Sequence, residues 1–576
     1  MKRGTLLIAL VVLCVMGIAA CGSSHHHVTP IATNNFVFYA AGEDATPSFY
    51  SIAGVVTITA DGNNTITGGV QDFNDGDGTT SPQPGGDTIN PTGSSLTFNP
   101  DGSGNAILTL ATSNAALGVG GVETFALSFS NANHAIISQF DGTATSSGSY
   151  DLQTLPTAPL ASSSFSFTST GANSDGFAVA EGGVFTLDGS GDVTGSVDIN
   201  NAGTVTLNNS PSEGTVIPAS DTFGRGTVTG SLDGTTAVVN FYIVNSEVIR
   251  IIDVDATDTA VGSAYGQGTA AGNFAPSSIG QSAFYISGVD DFYNGAGQFF
   301  TFVEDAGAKP RANKRPARPE GGAVCSGSEC LFDGTADVNE SVDGGAIATD
   351  AAFDGTYVLA SNGYGSFSFV DPPLDTDLVT FGLYAVDPTL NILDPNNSAS
   401  GLTGGVLIAE MDENLVGTGA LIPQVVDPVV TDIAADVIFN AQGNADEGDG
   451  VAEFDLLGAS SVDAGAFAGE GFIDDPAGIL NDGTAILDQN STFSATFADD
   501  GDGIGRYLSG DGGFVASSPV ADTSIDFTVT AYDANGDQLF WVETDEDSTW
   551  GGSIQASTFE VPDAKKAQAK PKTKKQ

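Results

Sequence analysis

The sequence predicts an all-β protein made of four tandem antiparallel β modules, each a small barrel or sandwich of about eight strands. The clearest evidence is the segment 182–200, in which apolar and polar residues alternate on both sides of the turn cluster Asp188-Gly189-Ser190-Gly191. Two runs with a period of two residues, joined by residues that accept positive φ, are typical of a β-hairpin. Further copies of this pattern, two of them weaker, occur at 54–74, 299–339 and 454–474. The repetition indicates one module used four times.

Length and composition agree with this architecture. The chain has 576 residues with 75 glycines, 35 phenylalanines and 12 tyrosines, but only 3 methionines and 2 tryptophans. Glycine combined with aromatic and β-branched residues favours short strands and tight turns. The length corresponds to roughly three to five domains. No sustained 3.6-residue apolar stripe follows the first twenty residues, so we expect no helical packing.

The charge distribution excludes one class of partner. The formal net charge is −55 at pH 7, and nucleic-acid binding by the modules is excluded because phosphate backbones need cationic partners. Of the 16 Lys and Arg residues, two lie in the leader, five in 309–318 and six in 565–575, which leaves Arg225, Arg250 and Arg506 for the rest. The modules must therefore depend on apolar burial and backbone hydrogen bonds rather than on extensive salt-bridge networks.

The N-terminal segment 1–20 has the basic start, the apolar run and the small residues of a secretory signal peptide. It leads into Ile18-Ala19-Ala20-Cys21, which resembles the lipobox of bacterial lipoproteins. The resemblance implies that Cys21 is lipidated, becomes the mature N-terminus and anchors the protein to a membrane. The alternative is an uncleaved membrane helix, for which the apolar run is short. Gly22 follows in place of Asp, which in Gram-negative lipoproteins favours the outer membrane or cell surface.

Strand runs and proline-containing linkers divide the remaining chain. Residues 21–35 form a polar tether whose His25-His26-His27 could bind a transition metal or be an expression tag, but which we expect to act as a spacer. Because each copy has enough apolar alternation for a core of its own, we expect four beads joined by tethers. The modules span 36–154, 161–273, 281–424 and 436–560, and a basic disordered tail is expected at 561–576.

Module 3 carries a basic insert at 306–328, where module 2 has a tight turn. We expect this proline-rich insert to be an extended, solvated loop. Cys325 and Cys330 lie at and just beyond its end. An exported protein occupies an oxidising compartment, which favours a local disulfide between these two cysteines. The alternative is a CxxxxC metal half-site, for which the sequence offers no second pair of ligands.

The sequence offers little for catalysis. His134 is the only histidine outside the tether, and it precedes the apolar run 135–137, which predicts a position at a strand edge. No GxSxG elbow with a histidine partner occurs. Carboxylates are so numerous that choosing two for glycosidic chemistry would be arbitrary. We therefore expect a protein that is not an enzyme and holds no cofactor, with calcium as the one ion that the sequence favours.

The calcium prediction depends on glycine-bent acidic segments. Segments 72–78 and 499–503 place oxygen ligands at alternate positions of a loop, as hard cations require. Segment 446–450 is similar but supplies no named ligand. None of the three completes the spacing of an EF-hand, and Asp-Gly is also common turn chemistry, so plain turns are the alternative. The candidate ligands are Asp72, Asn74, Asp75, Asp77, Asp499, Asp500 and Asp502.

Two of the isolated arginines occupy equivalent places. Arg225 and Arg506 fall at the same point of the second hairpin in modules 2 and 4, where modules 1 and 3 have Asn105 and Tyr364. Because the residue type varies between the copies, we expect a residue that flanks a turn and no shared ligand site.

Two function classes remain. The first is a lipid-anchored, non-catalytic cell-envelope protein with an adhesive, scaffolding or surface-display role. The second is a lipoprotein that binds a small ligand or glycan, in which Trp541 and Trp550 could stack on a sugar, although the run 539–542 predicts a buried strand for Trp541. An apolar cavity closed at one end would favour the second class, and filled cores would favour the first. In either class the partner, a protein or a glycan, is unknown.

Overall fold

The computed structural model describes residues 33–559 with internal gaps. Cys21, the tether up to residue 32, most of the basic insert, Asp77, Asp502 and the tail from residue 560 lie outside the described residues. The gaps are 45–47, 61, 76–85, 157–163, 189–191, 210–211, 218–221, 233–234, 255–257, 289–292, 302–324, 327–328, 340–346, 371–377, 398–403, 413–414, 425–427, 447–450, 479, 481–484, 502–504, 511–512, 522, 536 and 545–547.

Module 1 is a closed antiparallel barrel of eight strands. Consecutive strands pair with each other, and the first strand also pairs with the last, which closes the barrel. The strands are β1 (Thr33–Asp44), β2 (Phe49–Thr59), β3 (Ile66–Asp75), β4 (Asp87–Phe98), β5 (Asn105–Thr112), β6 (Val122–Asn131), β7 (His134–Gln139) and β8 (Ala144–Leu152).

Module 2 repeats this plan with one additional strand. Pairing of the second strand with the third closes eight of the nine strands into a ring, and β12 pairs outside the ring along β11. The strands are β9 (Ser164–Asn173), β10 (Ala178–Leu187), β11 (Asp192–Asn201), β12 (Thr204–Asn209), β13 (Ser212–Ile217), β14 (Arg225–Leu232), β15 (Thr235–Ile243), β16 (Val248–Asp253) and β17 (Asp258–Gly266).

Module 3 also closes eight strands into a ring, through pairing of β19 with β21. The two-residue strand β20 pairs with the start of β21 outside the ring. The strands are β18 (Ser282–Gly288), β19 (Tyr293–Thr301), β20 (Cys325–Ser326), β21 (Glu329–Asn339), β22 (Ile347–Leu359), β23 (Tyr364–Val370), β24 (Leu378–Ala385), β25 (Val406–Glu410) and β26 (Gly417–Pro423).

Module 4 closes in the same way through pairing of β29 with β30, and two short strands extend it. Its strands are β27 (Asp436–Asp446), β28 (Val451–Asp463), β29 (Ala466–Asp475), β30 (Ile486–Asp499), β31 (Arg506–Ser509), β32 (Phe514–Ser518), β33 (Thr523–Phe527), β34 (Val529–Asp533), β35 (Gln538–Glu543) and β36 (Ser548–Ala556). Short 3₁₀-helices occur at Gly268–Ala270, Pro276–Ser278 and Val430–Asp432. The predicted all-β class with four antiparallel modules is confirmed.

Each barrel is filled by the inward-facing half of its alternating strands. Fully burying one large apolar side chain contributes about 1.5–3 kcal/mol, so these clusters are the main source of stability. The predicted core of each copy is therefore present. Its largest members are Phe38, Phe125 and Tyr150 in module 1, Phe165 and Phe167 in module 2, Phe332 and Phe381 in module 3, and Trp541 and Trp550 in module 4.

In modules 1, 2 and 4, the first and last strands approach so closely that glycine is required. At Gly171 of β9, a Cβ atom would lie 1.8 Å from the carbonyl oxygen of Thr259 on β17. No real Cβ tolerates that distance, because the two atoms would overlap. Glycines occur at the equivalent position of all four first strands, namely Gly42, Gly171, Gly288 and Gly443.

The modules pack into a closed ring, so the expectation of separate beads on tethers is wrong. Outward-facing apolar residues form clusters between neighbouring modules as well as within them. One cluster joins modules 1, 2 and 3, a second joins modules 3 and 4, and a third joins modules 4 and 1. We call each contact between neighbouring modules a seam and name it by its modules. Among the described residues, no helix is long and apolar enough to cross a membrane.

Candidate functional site

A three-residue motif on the third strand of the ring forms the polar part of the seam that each of modules 1, 2 and 3 makes with the next module. It is Asp72-Phe73-Asn74 in module 1, Asp198-Ile199-Asn200 in module 2 and Asp337-Val338-Asn339 in module 3. Successive side chains of a strand point to opposite faces. The middle residue packs into its own barrel, while the Asp and the Asn face the next module and are buried there.

At the 1–2 seam, Asp72 receives three hydrogen bonds from module 2. Arg225 donates from Nε at 2.7 Å and from Nη2 at 2.8 Å, and the Tyr242 hydroxyl donates at 2.6 Å. Arg225 and Tyr242 are direct partners in the ladder of β14 and β15, so one hairpin presents both donors. Burial, and then the charge of Asp72, raises the pKa of Tyr242 well above 10, so its hydroxyl keeps the proton that it donates.

The 3–4 seam repeats this arrangement with different residues. Arg506 donates to Asp337 from Nε at 2.8 Å and from Nη2 at 2.6 Å. Tyr532, the ladder partner of Arg506, also donates to Asp337. The remaining Arg506 nitrogen, Nη1, donates to Asp500 at 3.1 Å. Bidentate pairs of this kind are among the strongest hydrogen-bonded contacts in proteins.

The 2–3 seam uses two tyrosines in place of arginine and tyrosine. Tyr364 and Tyr384 are ladder partners on β23 and β24, and each donates to one oxygen of Asp198 at 2.7 Å. The sequence analysis expects residues that flank a turn and share no ligand site, and it does not anticipate that Arg225, Tyr364 and Arg506 share a contact with the preceding module. The residue type varies because a carboxylate accepts hydrogen bonds from a phenol as well as from a guanidinium.

The asparagine of the motif binds backbone carbonyls of the next module. Asn74 donates to the carbonyls of Asp253 and Asp258 at 3.0 and 2.9 Å. Asn339 donates to the carbonyl of Ser548 at 2.8 Å. Asn200 donates to three carbonyls between residues 410 and 415, at 2.8–3.1 Å. An amide nitrogen suits this position because a backbone carbonyl can only accept.

A glutamine directly after the last strand makes a second contact at the same three seams. The Gln153 amide donates to the carbonyls of Phe223 and Ile243, both at 2.7 Å. Gln267 donates to the carbonyl of Asn362 at 2.8 Å, and Gln424 donates to that of Asp533. Each of these glutamines is thus hydrogen-bonded to the module that follows it.

The 4–1 seam departs from this pattern. Its motif is Phe472-Ile473-Asp474, so Phe replaces Asp and Asp replaces Asn. Phe472 packs edge-on against Phe140 of module 1 with ring centroids 5.6 Å apart. Asp474 is 1% exposed, and neither of its carboxylate oxygens has a hydrogen-bond partner.

The C-terminal residues of module 4 also hold this seam. Ser557 directly follows the last strand of module 4, where the other modules have a glutamine. Its hydroxyl donates to the carbonyls of Phe129 and Ser130 at 3.3 Å. The Thr558 amide donates to the Ser130 carbonyl at 2.7 Å. Phe559 then stacks on Phe98, with ring centroids 5.5 Å apart, at the end of the module 1 barrel.

A cavity of about 380 Å³ lies where the four modules meet. The first and last strands of every module line it, so equivalent positions contribute different side chains. Beside it, Asp151 accepts hydrogen bonds from His134 Nδ1 at 2.7 Å and from Arg250 Nη2 at 2.6 Å. Burial alone would raise the pKa of Asp151, but Arg250 and His134 lower it to about 2. At one equivalent position on the first strands of the four modules, the side chains that line the cavity are Tyr39, Thr168, Tyr285 and Asn440.

Unpaired polar atoms remain at this cavity. His134 Nε2 and Gln555 Oε1 have no hydrogen-bond partner, although their residues are 1% and 6% exposed. Coulombic contact with Asp394 and the bond to Asp151 outweigh burial and raise the pKa of His134. His134 begins β7, so the predicted strand-edge position is correct. Its burial and its electrostatic interactions with Asp394 of module 3 and Arg250 of module 2 were not expected.

The remaining sequence candidates are placed as follows. Asp499 accepts a hydrogen bond from the Gly501 amide at 2.8 Å, as in a turn. Asp75 is half-buried at the end of β3. Asp72 and Asn74 take part in the 1–2 seam, and Asp500 accepts from Arg506 within module 4. Within the ranges that the structure describes, no group of three or more His, Cys, Asp or Glu residues is arranged to hold a metal. Calcium binding stays a prediction.

Two further sequence inferences concern cysteine and tryptophan. Cys330 is disulfide-bonded, and its direct ladder partner is Cys325, the predicted second half of the bridge. Trp541 and Trp550 are fully buried in module 4, where they meet edge-to-face with centroids 5.2 Å apart. Trp541 is therefore the buried strand residue that the sequence predicts, and neither ring is accessible to a sugar.

Comparisons with known proteins give little. No protein-family model and no curated protein matches the chain. Among solved structures, transferrin binding protein B of Haemophilus parasuis Hp5 is 10% identical, with 75% of this chain and 85% of that chain covered and a TM-score of 0.16. The alcaligin receptor FauA of Bordetella pertussis is 8% identical, with 90% and 75% covered and a TM-score of 0.12. Likenesses at these TM-scores carry no argument about function.

Proposed function

We propose that this chain is a lipid-anchored protein of the bacterial cell envelope, at the outer membrane or cell surface, whose four barrels form a rigid scaffold for adhesion or display. One observation carries the proposal. The barrel interiors are filled with apolar side chains, while buried polar contacts join the modules in a ring. Such a body holds its outer loops in fixed positions, which suits binding of a protein or glycan partner.

The geometry around the buried histidine supports a role without catalysis. A serine nucleophile needs its hydroxyl on the free nitrogen of the histidine. Here Ser149 donates to Asp151 at 2.6 Å, and His134 Nε2 has no partner. Arg250 holds the other side of Asp151. This arrangement joins two modules and activates no nucleophile.

The anchor is tested by metabolic labelling with a radioactive fatty acid. We expect label in the wild-type chain and in Cys14→Ser, a control within the leader, and none in Cys21→Ser. Cell fractionation should move Cys21→Ser out of the outer membrane. Protease treatment of intact cells then distinguishes display from an inward-facing position. Equal labelling of Cys21→Ser and wild type would contradict the anchor.

A second candidate function is binding of a small hydroxylated ligand, such as a sugar, in the central cavity. It is favoured by His134 Nε2 and Gln555 Oε1, a buried nitrogen and a buried acceptor without partners. A volume of about 380 Å³ lies in the range of small-molecule sites. Saturation-transfer NMR with glucose, galactose and maltose, with and without calcium, tests it. Transfer that disappears in Gln555→Ala would support this function, and no transfer from any of the three sugars would count against it.

A further inference from the structure

The four seams differ at one equivalent position. The last residue of the third-strand motif is Asn74, Asn200 or Asn339 at three seams and Asp474 at the fourth. The three asparagines donate amide hydrogens to backbone carbonyls of the next module. An ionised aspartate has no hydrogen to donate, whereas a protonated one has a single O–H donor. The 4–1 seam thus has a donor at this position only when Asp474 is protonated.

The surroundings of Asp474 contain acidic groups. Asp455 is its ladder partner on β28, Asp475 follows it on β29, and Asp141 approaches from module 1. One oxygen of Asp455 accepts from Ser138 of module 1 at 3.0 Å, and the other has no partner. At the 1–2 and 3–4 seams, by contrast, an arginine neutralises the buried acid.

We propose that the 4–1 seam is a pH-sensitive closure of the ring, which is tight while Asp474 and Asp455 are protonated and loosens when they ionise. The other three seams stay closed, because asparagine, arginine and tyrosine supply their donors at every pH in this range. Opening would separate module 4 from module 1, the two ends of the folded chain. It would expose the apolar cluster around Phe472.

The direction of the effect follows from linkage. Burial, and then the charge of Asp455, raises the pKa of Asp474 well above its ordinary value. Burial raises the pKa of Asp455 to about 7. In an open, solvated seam both values would return to about 4. The closed seam therefore binds more protons, so its stability is greatest below about pH 4 and falls as the pH rises through 7.

Two neighbouring carboxyls act in the same direction. Burial raises the pKa of Glu43 in module 1 to about 7, and burial followed by Asp455 and Glu43 raises that of Glu453 in module 4. Both lie at the central cavity beside the seam. Their ionisation adds negative charge to a boundary that already holds two buried acids.

The test is hydrogen–deuterium exchange of the full chain at pH 5 and pH 8, corrected for intrinsic exchange. We expect protection of segments 126–140 and 466–475, which flank the 4–1 seam, to fall about tenfold or more at pH 8. Segments 192–200 and 404–412, at the 2–3 seam, should change less than about twofold. An equal loss at both seams would overturn the proposal, because it would indicate general destabilisation.

Reciprocal variants identify the group responsible. Asp474→Asn installs the residue that the other seams use, and we expect it to retain most of the protection at pH 8. Asn200→Asp makes the opposite exchange and should create the pH dependence at the 2–3 seam. Asp463→Asn, an exposed site on β28, is the control for loss of charge. If Asp474→Asn loses protection at pH 8 as wild type does, the proposal is wrong.

A third variant remains informative if Asp474→Asn folds poorly. Asn105 and Ser128 are ladder partners at the place where other modules present Arg and Tyr. Phe472→Asp combined with Asn105→Arg and Ser128→Tyr rebuilds the 1–2 arrangement at the 4–1 seam. We expect this variant to gain protection at pH 8 relative to wild type. Unchanged or lower protection would contradict the idea that this seam is weaker at pH 8 because it lacks the contact of aspartate with arginine and tyrosine.

Discussion

Asp337 of module 3 and Arg506 of module 4 form a bidentate ion pair across a seam, although 169 positions separate them in the chain. The Asp337 side chain is 0% exposed and that of Arg506 is 6% exposed. Tyr532 donates to the same carboxylate. The pair is removed from water and hydrogen-bonded on all sides, which is the situation in which loss of one partner is most costly.

Removing one partner of this pair should destabilise the chain strongly. We expect Asp337→Asn to lower the free energy of unfolding by about 3–5 kcal/mol, because the buried Arg506 loses its bidentate anionic partner and, among the described residues, keeps only the single ion pair of Nη1 with Asp500. Urea denaturation followed by tryptophan fluorescence measures this, since both tryptophans lie in module 4.

The double variant Asp337→Leu with Arg506→Met is the matched control. It removes both charges, so we expect it to be much less destabilised than Asp337→Asn. Equal destabilisation of the two variants would show that the buried charge does not explain the loss.

Replacing a glutamine that directly follows the last strand of a module should destabilise the chain more when the new side chain is charged than when it is truncated. Gln267 donates to the carbonyl of Asn362 at 2.8 Å and to that of Ala385 at 3.3 Å. Gln267→Ala loses these bonds and should cost about 1–2 kcal/mol. Gln267→Glu places a carboxylate against carbonyl oxygens and should cost more. Thermal unfolding at pH 7 compares them, and greater stability of Gln267→Glu than of Gln267→Ala would contradict the contact.

The strands and the fourfold repetition could be predicted because both depend on patterns of residues that are close together in the sequence. Period-two alternation and Asp-Gly turns determine hairpins within some twenty residues. The seams could not, because Asp72 and Asn74 are acceptor and donor groups whose partners lie more than 150 positions away. In isolation they match a calcium loop or a turn equally well.

One signal for the seams is nevertheless present in the sequence. Asp-x-Asn recurs on the third strand of modules 1, 2 and 3 with an apolar middle residue, as at Asp198-Ile199-Asn200. The middle residue belongs to the barrel, so the two polar residues must face away from it. Buried polar side chains that face outward indicate a neighbouring module. The recurrence is hard to detect from the sequence because the donors that pair with the aspartate vary from Arg225 to Tyr364.

Two glycines distinguish the effect on stability of a close backbone approach from that of general backbone flexibility. Gly171→Ala places a Cβ atom 1.8 Å from the Thr259 carbonyl, whereas a Cβ at Gly280 meets no atom within 4 Å. We expect Gly171→Ala to lower stability by about 1–3 kcal/mol or more. Gly280→Ala should leave the melting temperature unchanged or slightly raised, since it lowers the entropy of the unfolded chain. Similar melting temperatures for the two variants would refute the close approach.

Two of the predicted calcium ligands already have arginine partners, so the calcium prediction can be tested against simple screening of charge. Arg225 occupies both oxygens of Asp72, and Arg506 donates to Asp500. We therefore expect calcium and magnesium, at equal ionic strength, to raise the melting temperature equally by screening the net charge of −55. Differential scanning fluorimetry after removal of ions with EDTA measures this. A rise specific to calcium would instead support the calcium site predicted from the sequence.

Trypsin tests all three arginines of the modules at once. Their side-chain exposures are 13% for Arg225, 2% for Arg250 and 6% for Arg506, and each lies in a strand ladder. Cleavage at such sites requires local unfolding. We expect brief digestion to yield no fragment that ends at any of them, while cuts occur among the basic residues at 309–318 and 565–575. Mass spectrometry identifies the fragments.

The Asp337→Asn variant makes this experiment specific. Loss of the carboxylate removes the bidentate contact of the Arg506 guanidinium with an acid of module 3 and weakens the 3–4 seam, although Asp500 of module 4 still accepts from Nη1. Cleavage after Arg506 should therefore appear early while Arg225 and Arg250 stay resistant. Their own partners, Asp72 and Asp151, lie at the 1–2 seam and are untouched. Early cleavage after Arg250 in the wild-type chain would mean that module 2 opens without its neighbours. It would also contradict a ring in which each buried cation of the modules joins one module to the next.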